Sequence, residues 1–228
     1  MRGLGARQLA FELPHAESFR RDDFLSDGSN EAALALVEAW PEWPDRVVAI
    51  VGPPGSGKSH LAAIWAERSG ARIADAGALA LNEVPRALVT GALALEDLVP
   101  EQGDEQAMFH LLNLVREDEA FLLITAASRA DLQRYALPDL ASRLRAVPVF
   151  ELAPPSERLI AAVLVKLFAD RQLLIDEDTI AYLLTRIERS LAAARDIAAR
   201  LDRAALSRGR RVTRQLAADV LREQETPV

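Results

Sequence analysis

The chain has 228 residues, with 27 basic side chains against 34 acidic ones and a formal net charge of −7. Half of the residues are apolar and 27% are charged, the composition of a folded domain rather than a disordered one. Cysteine is absent, and the only histidines are His15, His60 and His110, which excludes disulfides, thiolate zinc sites and a cysteine nucleophile. No apolar run reaches the ~18 residues of a membrane span. Residues 1–5 lead into mixed polar sequence, without a signal peptide's apolar stretch. The expectation is a cytoplasmic chain with no membrane partner. Of the basic residues only two are lysines, Lys58 and Lys166.

In chain order, the first pattern is Gln8-Leu9-Ala10-Phe11-Glu12-Leu13-Pro14. Leu9, Phe11 and Leu13 alternate, so an extended backbone presents all three to one apolar groove while Gln8 hydrogen-bonds. An edge strand of the chain's own domain would use them in the same way. From about residue 46 to 150, short apolar runs alternate with amphipathic stretches, which predicts a parallel sheet covered by helices. The runs fall at 47–51, 71–74, 93–95, 121–124 and 147–150, and Pro148 makes the last an edge strand or a late-starting one. Helical spacing appears over 61–66 and 109–115. Leu152-Ala153-Pro154-Pro155-Ser156 is a break, and its Ser156 can cap a helix beginning at the next residue. Beyond it, only helical spacing remains, over 159–168, 180–187 and 191–206, with Thr213 as N-cap of a last helix to about residue 223. The expected organisation is an extension over 1–20, an α/β unit over 21–153 and a small helical unit over 154–228.

The strongest signal is Gly52-Pro53-Pro54-Gly55-Ser56-Gly57-Lys58-Ser59, which matches G-x-x-x-x-G-K-[ST] between an apolar strand and a helix. Glycines there let backbone N–H groups turn inward around phosphate oxygens, and the helix N-terminus adds partial positive charge. Lys58 would reach the β- and γ-phosphates, Ser59 would hold Mg2+, and His60 continues the binding segment. The expected ligand is ADP or ATP.

Hydrolysis needs a carboxylate pair at the end of another strand, one for the metal and one to position water. Glu96-Asp97 is the acidic pair that ends an apolar run in the right interval. Glu96 stands where aspartate is usual, which works against efficient Mg2+ positioning. The next strand ends in Thr125-Ala126-Ala127-Ser128, leaving Thr125 or Ser128 as the γ-phosphate sensor.

Three boxes carry a resemblance. Leu137-Pro138-Asp139-Leu140-Ala141-Ser142-Arg143-Leu144 resembles the arginine-finger box of AAA+ ATPases, in the wording of the Hda branch of DnaA-related regulators. Phe24-Leu25-Ser26-Asp27-Gly28-Ser29-Asn30 is similar to the adenine-side segment of the same group, so Phe24 and Leu25 would flank adenine. The Gln8 peptide resembles the sliding-clamp-binding motif of bacterial replication proteins. This likeness implies an AAA+ P-loop α/β core followed by a helical lid. It also implies a regulator that binds ADP, docks on the DNA polymerase sliding clamp through Gln8, Leu9, Phe11 and Leu13, and stimulates ATP hydrolysis by the DnaA initiator. Arg143 would be the finger, inserted into a neighbour's site. The lid's sensor arginine is missing, because the matching position falls at or near Ala192. Arg189 or Arg195, one turn to either side, could replace it. With Glu96, this favours a nucleotide-dependent regulator of at most weak intrinsic ATPase activity, with a homo-oligomer as an open alternative to a monomer. The alternative is a self-assembling ATPase of helicase-loader type, and a small-molecule kinase leaves the finger box and lid unexplained. Arginines between residues 186 and 214 imply at most weak, non-specific DNA contact.

Overall fold

The apolar runs become five strands of a wholly parallel sheet: β1 (Val47–Val51), β2 (Arg72–Asp75), β3 (Ala92–Leu98), β4 (Phe121–Ala126) and β5 (Val149–Glu151), in the order β2-β3-β4-β1-β5. This architecture comes from a computed structural model, which describes residues 19–208 and 211–225. Gln8, Leu9, Phe11 and Leu13 lie outside the described residues. As Pro148 implied, β5 is an edge strand that begins after the proline, whose carbonyl still accepts from Ala49 N at 2.9 Å.

Strand side chains alternate between two cores, as the period of two demands. Ala49, Val51, Leu93, Leu95, Leu122 and Ile124 face one core, which is completed by α3 (Val84–Ala87), α4 (Glu105–Glu117) and α5 (Pro138–Ala146). Val48, Ile50, Ala92, Ala94 and Leu123 face the other, covered by α1 (Glu31–Ala39) and α2 (Lys58–Ser69). The sheet is thus sandwiched between helices. A third apolar core is built by α6 (Glu157–Asp170), α7 (Glu177–Leu184), α8 (Leu191–Arg208) and α9 (Arg214–Glu225).

Helix starts follow local chemistry. Ser156 Oγ accepts from Leu159 N at 3.0 Å at the start of α6, and Thr213 Oγ1 accepts from Leu216 N at 3.3 Å at the start of α9. Asp104 and Asp176 cap α4 and α7 in the same way. Helix α1 is not among the helices expected from sequence spacing. It spans only nine residues and is organised from its N-terminal side by the buried Asn30, whose amide donates to Leu25 O at 3.1 Å.

The segment ahead of α1 joins the sheet to the helical unit. Phe24 is buried in the core under α1 and α2, whereas its neighbour Leu25 packs against the core of α6–α9. Asp27 fastens this junction, accepting from Ser29 N at 2.8 Å, from Ser29 Oγ at 2.5 Å and from Ser156 Oγ at 2.5 Å. Partial burial works against its charge, but these hydrogen bonds prevail and hold its pKa below the ordinary 3.8.

Asp27→Ala is expected to lower stability by about 1–2 kcal/mol at pH 7 in urea titrations. A carboxyl with a depressed folded pKa stabilises above its unfolded value. The deficit should therefore be full at pH 7 and shrink as pH falls below about 3.8.

Candidate nucleotide-binding site

The loop between β1 and α2 is shaped by glycine at two left-handed positions, Gly55 at φ +72° and Gly57 at φ +107°. Gly55 is also pressed by the helical unit. A β-carbon there would stand 2.9 Å from Ala192 Cβ and 3.2 Å from Ala192 N. Leu191 N donates to Gly55 O at 3.0 Å, so the first turn of α8 is hydrogen-bonded to the phosphate loop itself. Over Gly57 lie Phe24 and Leu191, each at ordinary van der Waals distance from where a β-carbon would be.

Lys58 is buried, and its ammonium donates to Gly52 O at 2.8 Å and Pro53 O at 3.2 Å. Burial pushes its pKa down, while Asp97 and Glu96 nearby favour the charged form. The cation is therefore held on the loop's own carbonyls.

Glu96 ends the run of β3 that pairs regularly with its neighbours; after Leu95 the register with β4 slips, and Leu98 pairs with Ala126. The bulge places Asp97 in a left-handed conformation, φ +53°, with its N–H donated to the buried Thr125 Oγ1 at 3.0 Å. Asp97 itself is exposed. Burial raises the pKa of Glu96, whereas the Ser59 hydroxyl and Lys58 favour its charge. Among the described residues, Glu96 Oε1 is buried without a hydrogen-bond partner.

An orphaned carboxylate oxygen beside a hydroxyl fits a divalent cation. No cluster of three or more His, Cys, Asp or Glu that could hold a metal exists among the described residues. The arrangement therefore suits Mg2+, which takes few protein ligands and relies on phosphates and water. Ser59 and Glu96 would hold it, and when bound it would neutralise charge on the phosphate oxygens.

The two sensor candidates have local duties. Thr125 buttresses the β3 bulge, and Ser128 Oγ donates to Asp131 Oδ2 at 2.9 Å within its own turn.

Beside the loop opens a cavity of about 310 Å³, within the range of small-ligand sites. Phe24, Leu25, Gly57 and His60 line it, with Val163, Lys166 and Leu167 from α6 and Leu191 and Arg195 from α8. His60 fixes the wall, its ring edge-on to Phe19 and Phe24 at centroid distances of 5.3 and 5.1 Å and its Nε2 3.0 Å from Arg20 O. Apolar walls beside a phosphate loop suit a base and ribose. Of the two arginines considered as lid sensors, Arg195 lines the cavity, while Arg189 donates from Nε to Pro155 O at 3.1 Å.

Arg143 is not among the residues lining this cavity. It projects from the exposed side of α5, donates to Asn113 Oδ1 at 2.5 Å and lies 4.7 Å above the Phe109 ring. Both partners belong to α4, and no sequence motif points to them. Several arginines of the 186–214 stretch are likewise engaged: Arg186 and Arg214 over the Tyr182 ring, and Arg200 with Val220 O and Asp196.

Burial raises the Glu96 pKa, so its charge destabilises the ligand-free fold above pH 4.5, its ordinary value. Glu96→Gln is expected to raise the melting temperature of the ligand-free protein at pH 7.5. The advantage should fade as pH falls through about 4.5, below which both states carry the proton. Differential scanning fluorimetry across that range checks it.

No protein-family model matches the chain. Among solved structures it is similar to domain III of the Thermotoga maritima replication initiation protein DnaA, with a TM-score of 0.75 at 18% identity, covering 93% of this chain and 99% of that one. It is also similar to the Thermotoga maritima RuvB Holliday junction branch migration motor, with a TM-score of 0.74 at 14% identity over 90% of this chain and 72% of that one. A replication initiator DnaA bound to AMPPCP and single-stranded DNA matches at a TM-score of 0.63 and 16% identity, over 81% of this chain and 64% of that one. Among the described residues, no helix is long and apolar enough to cross a membrane. The fold is therefore shared with these proteins: a parallel five-stranded sheet between helices, followed by the helical unit of α6–α9.

Proposed function

We propose that the chain is a nucleotide-retaining regulator of DNA replication initiation, which stimulates ATP hydrolysis by the DnaA initiator while docked on the DNA polymerase sliding clamp. The observation that carries this reading is Arg143, an exposed guanidinium outside its own cavity, oriented by Asn113 and Phe109. Inserted into a neighbour's site, it would stabilise charge spreading over the transferred phosphoryl group, a contribution of about 10³–10⁵ in rate for such fingers. The likeness to DnaA domain III supports a partner of the same build.

Within its own site the chain favours holding over turnover. Backbone amides of residues 55–59 and Lys58 would bind the phosphates, and Phe24, Leu25 and His60 would flank the base. Glu96 reaches from a bulged strand, and Ala192 puts a methyl group where a sensor arginine would act. ADP is the ligand that such a site retains, with Mg2+ on Ser59 and Glu96. DNA contact through the 186–214 arginines is weak and non-specific in this reading. A self-assembling motor is favoured only by the likeness to RuvB, and steady ATP turnover by the purified chain alone would support it.

Lys58→Ala should abolish nucleotide retention. Arg143→Ala should keep nucleotide affinity within about twofold yet remove stimulation of initiator ATPase, a loss of about 10³-fold or more in the assisted rate. Equal loss of nucleotide affinity in both variants would contradict separate roles. For the clamp contact, replacing Gln8 and Leu9 by alanine should reduce capture on immobilised clamp without changing the melting temperature. Unchanged capture would remove the N-terminal peptide from the account.

A further inference from the structure

One wall of the cavity is charged. The chain's second lysine, Lys166 on α6, faces the cavity together with Asp23 from the segment ahead of α1 and Asp170 from its own helix. Its ammonium pairs with Asp23 Oδ1 at 2.7 Å and with Asp170 Oδ2 at 3.1 Å. The side chains of Lys166 and Asp23 are 27% and 24% exposed, against 53% and 62% for a surface pair such as Arg129–Glu151. A sheltered pair is screened less by salt and solvent than a surface one. The carboxylates also raise the Lys166 pKa, the Asp23 hydrogen bond most of all.

The position of the pair matters more than its strength. Asp23 adjoins Phe24 and Leu25, which line the cavity, and Lys166 stands on α6, which lines it with Val163 and Leu167. The pair therefore ties together two of the elements that line the cavity. We infer that Lys166 is a retention latch: its bond to Asp23 holds α6 of the lid against the segment ahead of α1 and slows release of a nucleoside diphosphate from the cavity. This rests on the reading that the cavity binds nucleotide.

The test is a stopped-flow chase of a fluorescent N-methylanthraniloyl ADP from the full chain with excess ADP. Lys166→Met keeps the apolar stem and removes the charge, and it is expected to release the probe roughly five- to tenfold faster. Asp23→Asn should do the same, and the double variant should add nothing further to release, since the Lys166–Asp23 bond is the interaction the two changes share. Lys166→Arg should restore slow release. Raising salt should speed release from the wild type but not from Lys166→Met. Binding to the wild type with unchanged release from Lys166→Met overturns the latch alone, as do additive effects in the double variant. No probe binding to the wild type overturns the nucleotide reading and the latch with it.

Discussion

The contact between Gly55 and the first turn of α8 fixes the geometry of everything around it. The Leu191 N–H on Gly55 O and the Ala192 methyl against the same residue leave the phosphate loop gripped from outside as well as from the sheet. A side chain at position 55 would have to displace either the loop or the helix. The helical unit thus packs on the glycine loop itself, and α6, α8, Phe24 and Leu25 line the cavity beside it.

Those two residues show how the halves are joined. One sequence step rotates the chain from the core beneath α1 and α2 to the core of α6–α9. Asp27 and Asn30 then lock the turn with hydrogen bonds to Ser29, Ser156 and Leu25. That segment is thus tied to both units and lines the cavity. In the proposed reading, the departures from an efficient hydrolase, Glu96 on a bulge and Ala192 in the first turn of α8, fall on this same assembly. The exposed Arg143 falls outside it, which in the proposed reading separates holding a nucleotide from acting on another protein's.

Much of the fold is legible in the sequence because it depends on short-range patterns. The apolar run 47–51 reappears unchanged as β1, Pro148 delays β5 as its missing donor requires, and Ser156 and Thr213 cap the helices that start beside them. The glycine loop between β1 and α2 is legible for the same reason, since one continuous octapeptide carries it. The features that escape depend on residues distant in sequence. Nothing in Ala192 announces that it seats on Gly55, and nothing in Asn113 or Phe109 announces Arg143. Thr125 reads as a free hydroxyl until the bulge at Glu96 and Asp97 brings a backbone N–H onto it. The scarcity of lysine is visible from composition alone, but its meaning at position 166 requires knowing that Asp23 stands across the cavity.

The central claim is that a nucleotide is held jointly by the phosphate loop and the lid. Amide hydrogen exchange with and without Mg2+ and ADP tests it most directly, because it reads both units in one experiment. The account predicts slowed exchange together in the loop over residues 55–59 and in the cavity-facing turns of α6 and α8. Slowing confined to one unit, or no slowing anywhere, would contradict it.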